Sequence, residues 1–236
     1  MSGETMENLA SGCNAAVVLG YDYTGLTTAR CLVAAGIKVY GVSLEDRDMG
    51  RWSRCCELVK MPNKSEDDFV ASLVRFLRSF DRKPVIIPTS DALALLLAKH
   101  HVLLSDHAHF SLCNQLQLEE IILKAGLARL AEKAGVKAPA QLTPESHEQI
   151  ERWAANNAPP YLLKPLYQNI ENCSLGVKNL QLATVNELLA QTQVNGFKQL
   201  VIQQLRQGGD SKIYESYGVC DKCGLQINMA AHTRIP

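Results

Sequence analysis

An α/β fold in two successive domains is predicted for this 236-residue chain by three observations. Short continuous apolar runs recur through the first half with helix-period segments between them, the pattern of strands buried on both faces of a parallel sheet. After Asn114 strands and helices alternate in a different order. The length lies between one large domain and two small ones, at roughly 100 to 200 residues per domain. These set the expected organisation: a frayed tail over 1–12, a parallel-sheet α/β domain over 13–112, and an α+β domain over 113–236 whose sheet carries helices on one side.

The first domain opens with Ala15-Ala16-Val17-Val18-Leu19-Gly20, an apolar run stopped by glycine. Residues 27–35 follow with Ala29, Leu32 and Val33 at helical spacing and a stop at Gly36, and 38–44 read as a second strand, so the unit is strand, helix, strand. Ser65-Glu66-Asp67-Asp68 is a helix start with acids in the first turn, and Phe69, Leu73, Phe76 and Leu77 line one face behind it. Pro84-Val85-Ile86-Ile87-Pro88 is the next strand, 91–104 an apolar helix, and 105–114 a connection.

The second domain is expected to begin with one helix over 116–134 closed by Gly135, and to start another at Thr143-Pro144-Glu145. Strands are expected to end at Lys164, to span 177–182 and to span 200–205, with a helix over 184–193. Runs at 213–219 and 225–229 flank 220–224 as a hairpin.

Composition excludes several classes. The formal net charge is zero, which leaves no basic field to hold a nucleic-acid backbone, so nucleic acid is not an expected partner. No apolar run approaches the 18 to 20 or so residues that cross a bilayer, and no membrane association is expected. Eight cysteines are scattered without a secretory signal segment, which suits reduced thiols in the cytoplasm.

Candidate sites differ in specificity. Gly20 and Gly25 flank a turn whose amides could approach a phosphate at a helix start, yet neither a dinucleotide fingerprint nor a Walker loop is present, and Glu45 is only a loose ribose-binding analogue. An ordinary strand-to-helix turn is preferred there. Cys220-Asp221-Lys222-Cys223 is half of a zinc knuckle or a redox pair, and a hairpin turn with two incidental thiols is preferred. Cys55-Cys56 reads as packing, and His100, His101, His107 and His109 as a solvated segment. The strongest feature is Pro160-Tyr161-Leu162-Leu163-Lys164-Pro165, a buried strand that delivers a lysine. Its ammonium must be hydrated or paired, because burying a lone charge costs several kcal/mol. The small polar loop Asn172-Cys173-Ser174-Leu175-Gly176-Val177 could cover phosphates with backbone amides, and the strand at Ile202-Gln203-Gln204-Leu205 runs into Gly208-Gly209-Asp210.

In this order the residues resemble the ATP-grasp superfamily, particularly the branch of predicted ligases that includes D-aspartate ligase. The resemblance rests on Val17-Val18-Leu19-Gly20 with Gly25-Leu26, the 51–54 arginine patch, Ile87-Pro88-Thr89-Ser90-Asp91, Lys124, Leu163-Lys164-Pro165, Ile202-Gln203-Gln204 and Gly208-Gly209-Asp210. It implies a Rossmann-like pre-ATP-grasp domain followed by the nucleotide-binding lobe, with the chain stopping before the lobe that holds the metal ligands. It implies that Lys124 and Lys164 grip ATP phosphates, and that Ser174, Gly176 and Val177 cover them. Gln203, Gln204 and Leu205 would read adenine and Asp210 would hold ribose. Gly20, Gly25 and Asp91 would lie on the substrate side. Gln204 stands where many relatives have a hinge glutamate, and the covering loop has one glycine where relatives often have more.

The function this implies is the N-terminal portion of an ATP-dependent carboxylate-amine ligase, acting through an acyl-phosphate when complete. The expected cofactors are ATP and Mg2+, whose ligands are expected outside this chain. The expected partners are a small-molecule carboxylate and an amine, and a second copy or a missing C-terminal lobe. Little turnover is expected of the chain alone. The alternative is a degenerate nucleotide- or metabolite-binding regulatory module; a dinucleotide-dependent oxidoreductase is a third reading, opposed by the absent fingerprint.

Overall fold

Among the described residues two four-stranded sheets of opposite character organise the chain, one in each of the units spanning residues 1–122 and 123–236. The computed structural model describes residues 15–62, 65–166, 175–177, 179–197, 200–206, 214–220 and 226–233. Of Lys124, Ala125 and all but Gly218 of the last two segments it describes the backbone only.

The first unit is a four-stranded parallel sheet, ordered β3 (Glu57–Lys60), β2 (Val39–Ser43), β1 (Ala16–Leu19), β4 (Val85–Pro88). Its α-helices among the described residues are α1 (Tyr23–Ala34), α2 (Glu66–Leu77), α3 (Asp91–Lys99), α4 (His101–Ser105) and α5 (Gln115–Ile122). Alternation along β1 explains why its run is apolar throughout. Val17 and Leu19 join Phe69, Leu73 and Leu77 of α2 and Leu93 and Leu97 of α3. Ala16 and Val18 join Leu26 and Ala29 of α1 on the other face. Serine caps start α2 and α3, Ser65 accepting from Asp68 N–H and Ser90 from Leu93 N–H.

The second unit holds a four-stranded antiparallel sheet, ordered β5 (Gln141–Leu142), β8 (Leu200–Gln204), β6 (Tyr161–Pro165), β7 (Leu180–Leu182). Its helices are α6 (Lys124–Lys133), α7 (His147–Ala154) and α8 (Val185–Asn195). Ile150, Tyr161, Leu163, Leu182, Leu188, Leu200 and Ile202 form the core beneath α7 and α8. The expected hairpin is present as β9 (Tyr214–Cys220) paired with β10 (Gln226–Thr233).

Several elements differ from expectation. The first helix starts at Tyr23 rather than residue 27, because Asp22 caps it by accepting from Gly25 N–H at 3.1 Å. Residues 91–104 form two helices, since His100 leaves helical backbone at φ −99° and ψ 22°. The long helix expected over 116–134 is broken at Leu123, which is extended at φ −71° and ψ 122°. Its first half packs on α3 of the first unit and its second half lines a cleft of the second. Separate tertiary partners thus override a continuous helical propensity. The helix expected at Thr143 begins at His147, capped by Ser146. The strand expected over 177–182 is confined to Leu180–Leu182. Strands β3 and β5 lacked a periodic run long enough to be seen. No helix among the described residues is long and apolar enough to cross a membrane.

Candidate nucleotide-binding cleft

Strand alternation divides β6 and β8 into two faces. Tyr161, Leu163, Leu200 and Ile202 point into the core. The residues between them, Lys164, Val201 and Gln203, line a cleft of about 340 Å³ on the opposite face, closed by Leu127, Ala128 and Ala131 of α6 and by Ala138, Pro139 and Gln141. Lys164 sits opposite Val201, and Leu162 opposite Gln203, in the β6–β8 register. The lysine inferred from the strand-end pattern therefore belongs to the cleft face of the sheet, opposite its core.

Lys164 Nζ donates to Gln203 Oε1 at 2.6 Å, and no ion pair between Lys164 and a carboxylate occurs among the described residues. Burial alone holds its ammonium below the ordinary lysine value. A cation partly stripped of water and satisfied by a neutral amide can still gain a strong bond to an anion. The cleft suits a phosphate-bearing ligand on this observation.

The other expected contacts fall in different places. Gln203 lines the cleft, whereas Gln204 and Leu205 do not. Gln204 Nε2 donates to Ala158 O at 3.1 Å, its N–H to Ala140 O at 2.8 Å, and Leu205 N–H to Pro160 O at 2.9 Å. Those two amides are committed to the fold, which leaves carbonyls and the Gln203 side chain to meet a base. Gly176 has a left-handed φ of 61°, and Val177 is 43% exposed. Lys124 is the first residue of α6. Its side chain, Ser174 and Asp210 lie outside the described residues, as do Cys223 and the Cys220 side chain. The residues missed in the sequence are the α6 apolar positions with Val201 and Gln141. The α6 residues carry only helical spacing and Val201 only its place in an apolar run, which do not say what each covers.

In the first unit, Gly20 and Asp91 lie at the C-terminal ends of β1 and β4. Strand order changes direction between these strands, where open α/β sheets form a crevice. Thr89 Oγ1 donates to the carbonyls of Leu19 and Gly20 at 2.8 and 3.0 Å and ties the two ends together. Gly20 has φ 84°, the conformation its turn requires. Gly25 is a packing glycine: a Cβ there would overlap the Gly20 carbonyl oxygen. This helix N-terminus already holds the Asp22 carboxylate, which agrees with the ordinary strand-to-helix turn preferred from the sequence. The four histidines disperse, His100 onto Glu66, His101 against Phe110, His107 against Arg78, and His109 into the backbone beside β4. No group of three or more His, Cys, Asp or Glu that could hold a metal ion gathers among the described residues.

A parallel-sheet unit followed by an antiparallel-sheet unit with a lysine on its open face has the fold of the ATP-grasp enzymes. The N5-carboxyaminoimidazole synthetase of Staphylococcus aureus, complexed with ADP, matches 94% of this chain and 55% of its own, with a TM-score of 0.67 and 12% identity. The biotin carboxylase domain of the Hydrogenobacter thermophilus 2-oxoglutarate carboxylase, in complex with MgADP and bicarbonate, matches 93% and 49%, at TM-score 0.64 and 16% identity. The L-amino acid ligase of Bacillus licheniformis matches 83% and 45%, at TM-score 0.58 and 14% identity. The chain thus spans about half the length of the solved structures it matches. No family model matches the sequence, and no curated protein matches it.

Proposed function

We propose that this chain is the ATP-binding portion of an ATP-dependent ligase that joins a small-molecule carboxylate to an amine. The observation that carries the reading is Lys164, a partly desolvated ammonium in a 340 Å³ cleft with Gln203 as its hydrogen-bond partner. Lys164 meets a phosphate oxygen of ATP, and Gln203 either follows it or turns to the base. Lys124, at the head of the helix that closes the cleft, supplies a second cation. Ser174, Gly176 and Val177 cover the phosphates, Gln204 and Leu205 flank the base, and Asp210 takes the ribose. Gly20, Gly25 and Asp91 belong to the carboxylate-substrate side, Gly25 by packing the helix against the turn. A D-aspartate-ligase-like branch and a cytoplasmic setting, where ATP and reduced thiols coexist, are part of this reading.

In the proposed chemistry a carboxylate attacks the γ-phosphate and the amine captures the acyl-phosphate. Positive side chains orient the phosphate oxygens and stabilise their developing charge. No group of three or more His, Cys, Asp or Glu that would hold a magnesium ion by itself gathers among the described residues. The alternative, a nucleotide- or metabolite-binding regulatory module, is favoured by one feature: the Gln204 and Leu205 amides are already bonded within the fold.

Calorimetric titration of ATP in magnesium buffer into wild type and Lys164→Met tests the phosphate contact. At least about a tenfold loss of affinity, roughly 1.4 kcal/mol, is expected of the variant. Equal affinities would remove Lys164 from the phosphate site. Binding of inorganic diphosphate as tight as that of ATP would favour the regulatory module.

A further inference from the structure

Tyr21 follows the Gly20 turn and is fully buried. Its ring is wedged beside two glycines, since a Cβ on either Gly41 or Gly50 would collide with ring atoms. Gly50 N–H donates to the Tyr21 carbonyl at 2.9 Å, which fixes the backbone as well. The hydroxyl has little freedom, and it meets Cys56 Sγ at 2.9 Å and Cys55 Sγ at 3.2 Å. Two sulfurs sharing one oxygen at those distances lie no more than about 6 Å apart. Both cysteines are half-buried, just before β3, so reagents in solvent can reach them.

The electrostatics support the geometry. Burial and the two thiols push the Tyr21 phenol well above its ordinary value, so it stays protonated. Burial opposes ionisation of Cys55, but hydrogen bonds with Ser53, Tyr21 and Cys56 and the charge of Arg30 outweigh it and lower that thiol. Cys56 is raised, chiefly by burial.

The number of donors selects the ligand class. A structural zinc takes four ligands, and no third His, Cys, Asp or Glu joins the pair among the described residues. Two thiols suit a soft, three-coordinate centre that brings its own third substituent. We propose that Cys55 and Cys56, positioned by Tyr21, form a dithiol site that chelates monosubstituted trivalent arsenicals and thiophiles of the same class. With an arylarsenoxide two S–As bonds form and the arsenic–oxygen bond is lost. The two thiol protons leave with that oxygen as water, and arsenic stays trivalent. Tyr21 follows Gly20 directly, so occupation of the pair acts on the turn at the end of β1.

The test treats the reduced full-length chain with phenylarsine oxide, using a Cys220→Ser/Cys223→Ser background to remove two thiols that lie three positions apart in the sequence. Intact mass should rise by one phenylarsenic group less two hydrogens. The adduct should map to the peptide containing Cys55 and Cys56, survive excess monothiol and be released by a dithiol. Cys55→Ser and Cys56→Ser should each lose the monothiol-resistant adduct. Tyr21→Phe should keep it but form it about threefold to tenfold more slowly, because the thiolate loses a donor. An adduct mapped elsewhere, one displaced by monothiol, or one undiminished in either serine variant would overturn the proposal. An unchanged rate in Tyr21→Phe would remove Tyr21 from the site. The peptide map and Tyr21→Phe decide the matter even if a serine variant fails to fold.

Discussion

The strands β1 and β6 are both short, apolar and buried, yet they place chemistry in different ways. β1 is covered on both faces, by α1 on one and by α2 and α3 on the other. No side chain along it can meet a ligand, and the polar or reactive groups gather past its end, at Gly20, Tyr21 and the facing Thr89. β6 lies in an antiparallel sheet whose one face packs on α7 and α8, while the other lines a cleft. Alternation there delivers Lys164 to the ligand side from within the strand itself. A parallel sheet puts function at strand ends, whereas a half-covered antiparallel sheet puts it on every second residue.

The largest loss of stability is expected at Gly25. Gly25→Val would drive a Cβ into the Gly20 carbonyl and force the helix off the strand end, at an expected cost above about 4 kcal/mol. Urea unfolding of the first unit measures this, and an unchanged midpoint would show that the helix start yields. The two faces of β6 can be separated next. Leu163→Ala, in the core, should cost about 3 kcal/mol, while its neighbour Leu162→Ala should cost under about 1 kcal/mol. Equal losses would mean that both faces of this sheet are closed.

The smallest effect concerns pH. Burial lowers the Lys164 ammonium in the fold below its ordinary value of 10.5, so the unfolded chain holds that proton more tightly. The resulting destabilisation is full below the folded value, where the group is charged in both states, and fades as pH rises toward 10.5. Wild type should therefore gain on Lys164→Met in urea midpoint as pH climbs from neutrality toward 10.5. The change should be below about 1 kcal/mol, because the amine remains partly wet. A constant difference would mean that the ammonium is not desolvated.

Local patterns in the sequence were enough for much of this. The continuous apolar run of β1, the Ser65 cap with its acidic first turn, and the strand that carries Lys164 all follow from short-range periodicity and capping, which depend on neighbours a few residues away. A strand's period of two is a property of its own backbone, but the β6–β8 register is what sets Lys164 and Gln203 on one face. Tertiary structure decided what they meet. The break at Leu123, the apolar wall of α6 over Lys164, and the bonding of the Gln204 and Leu205 amides to Ala140 and Pro160 arise from segments tens of residues apart in sequence. Cys55 and Cys56 read as packing until Tyr21, 34 residues upstream of the first, set its hydroxyl between them. Contacts of that separation depend on how helices and sheets bury their faces against one another, which no local window of residues records.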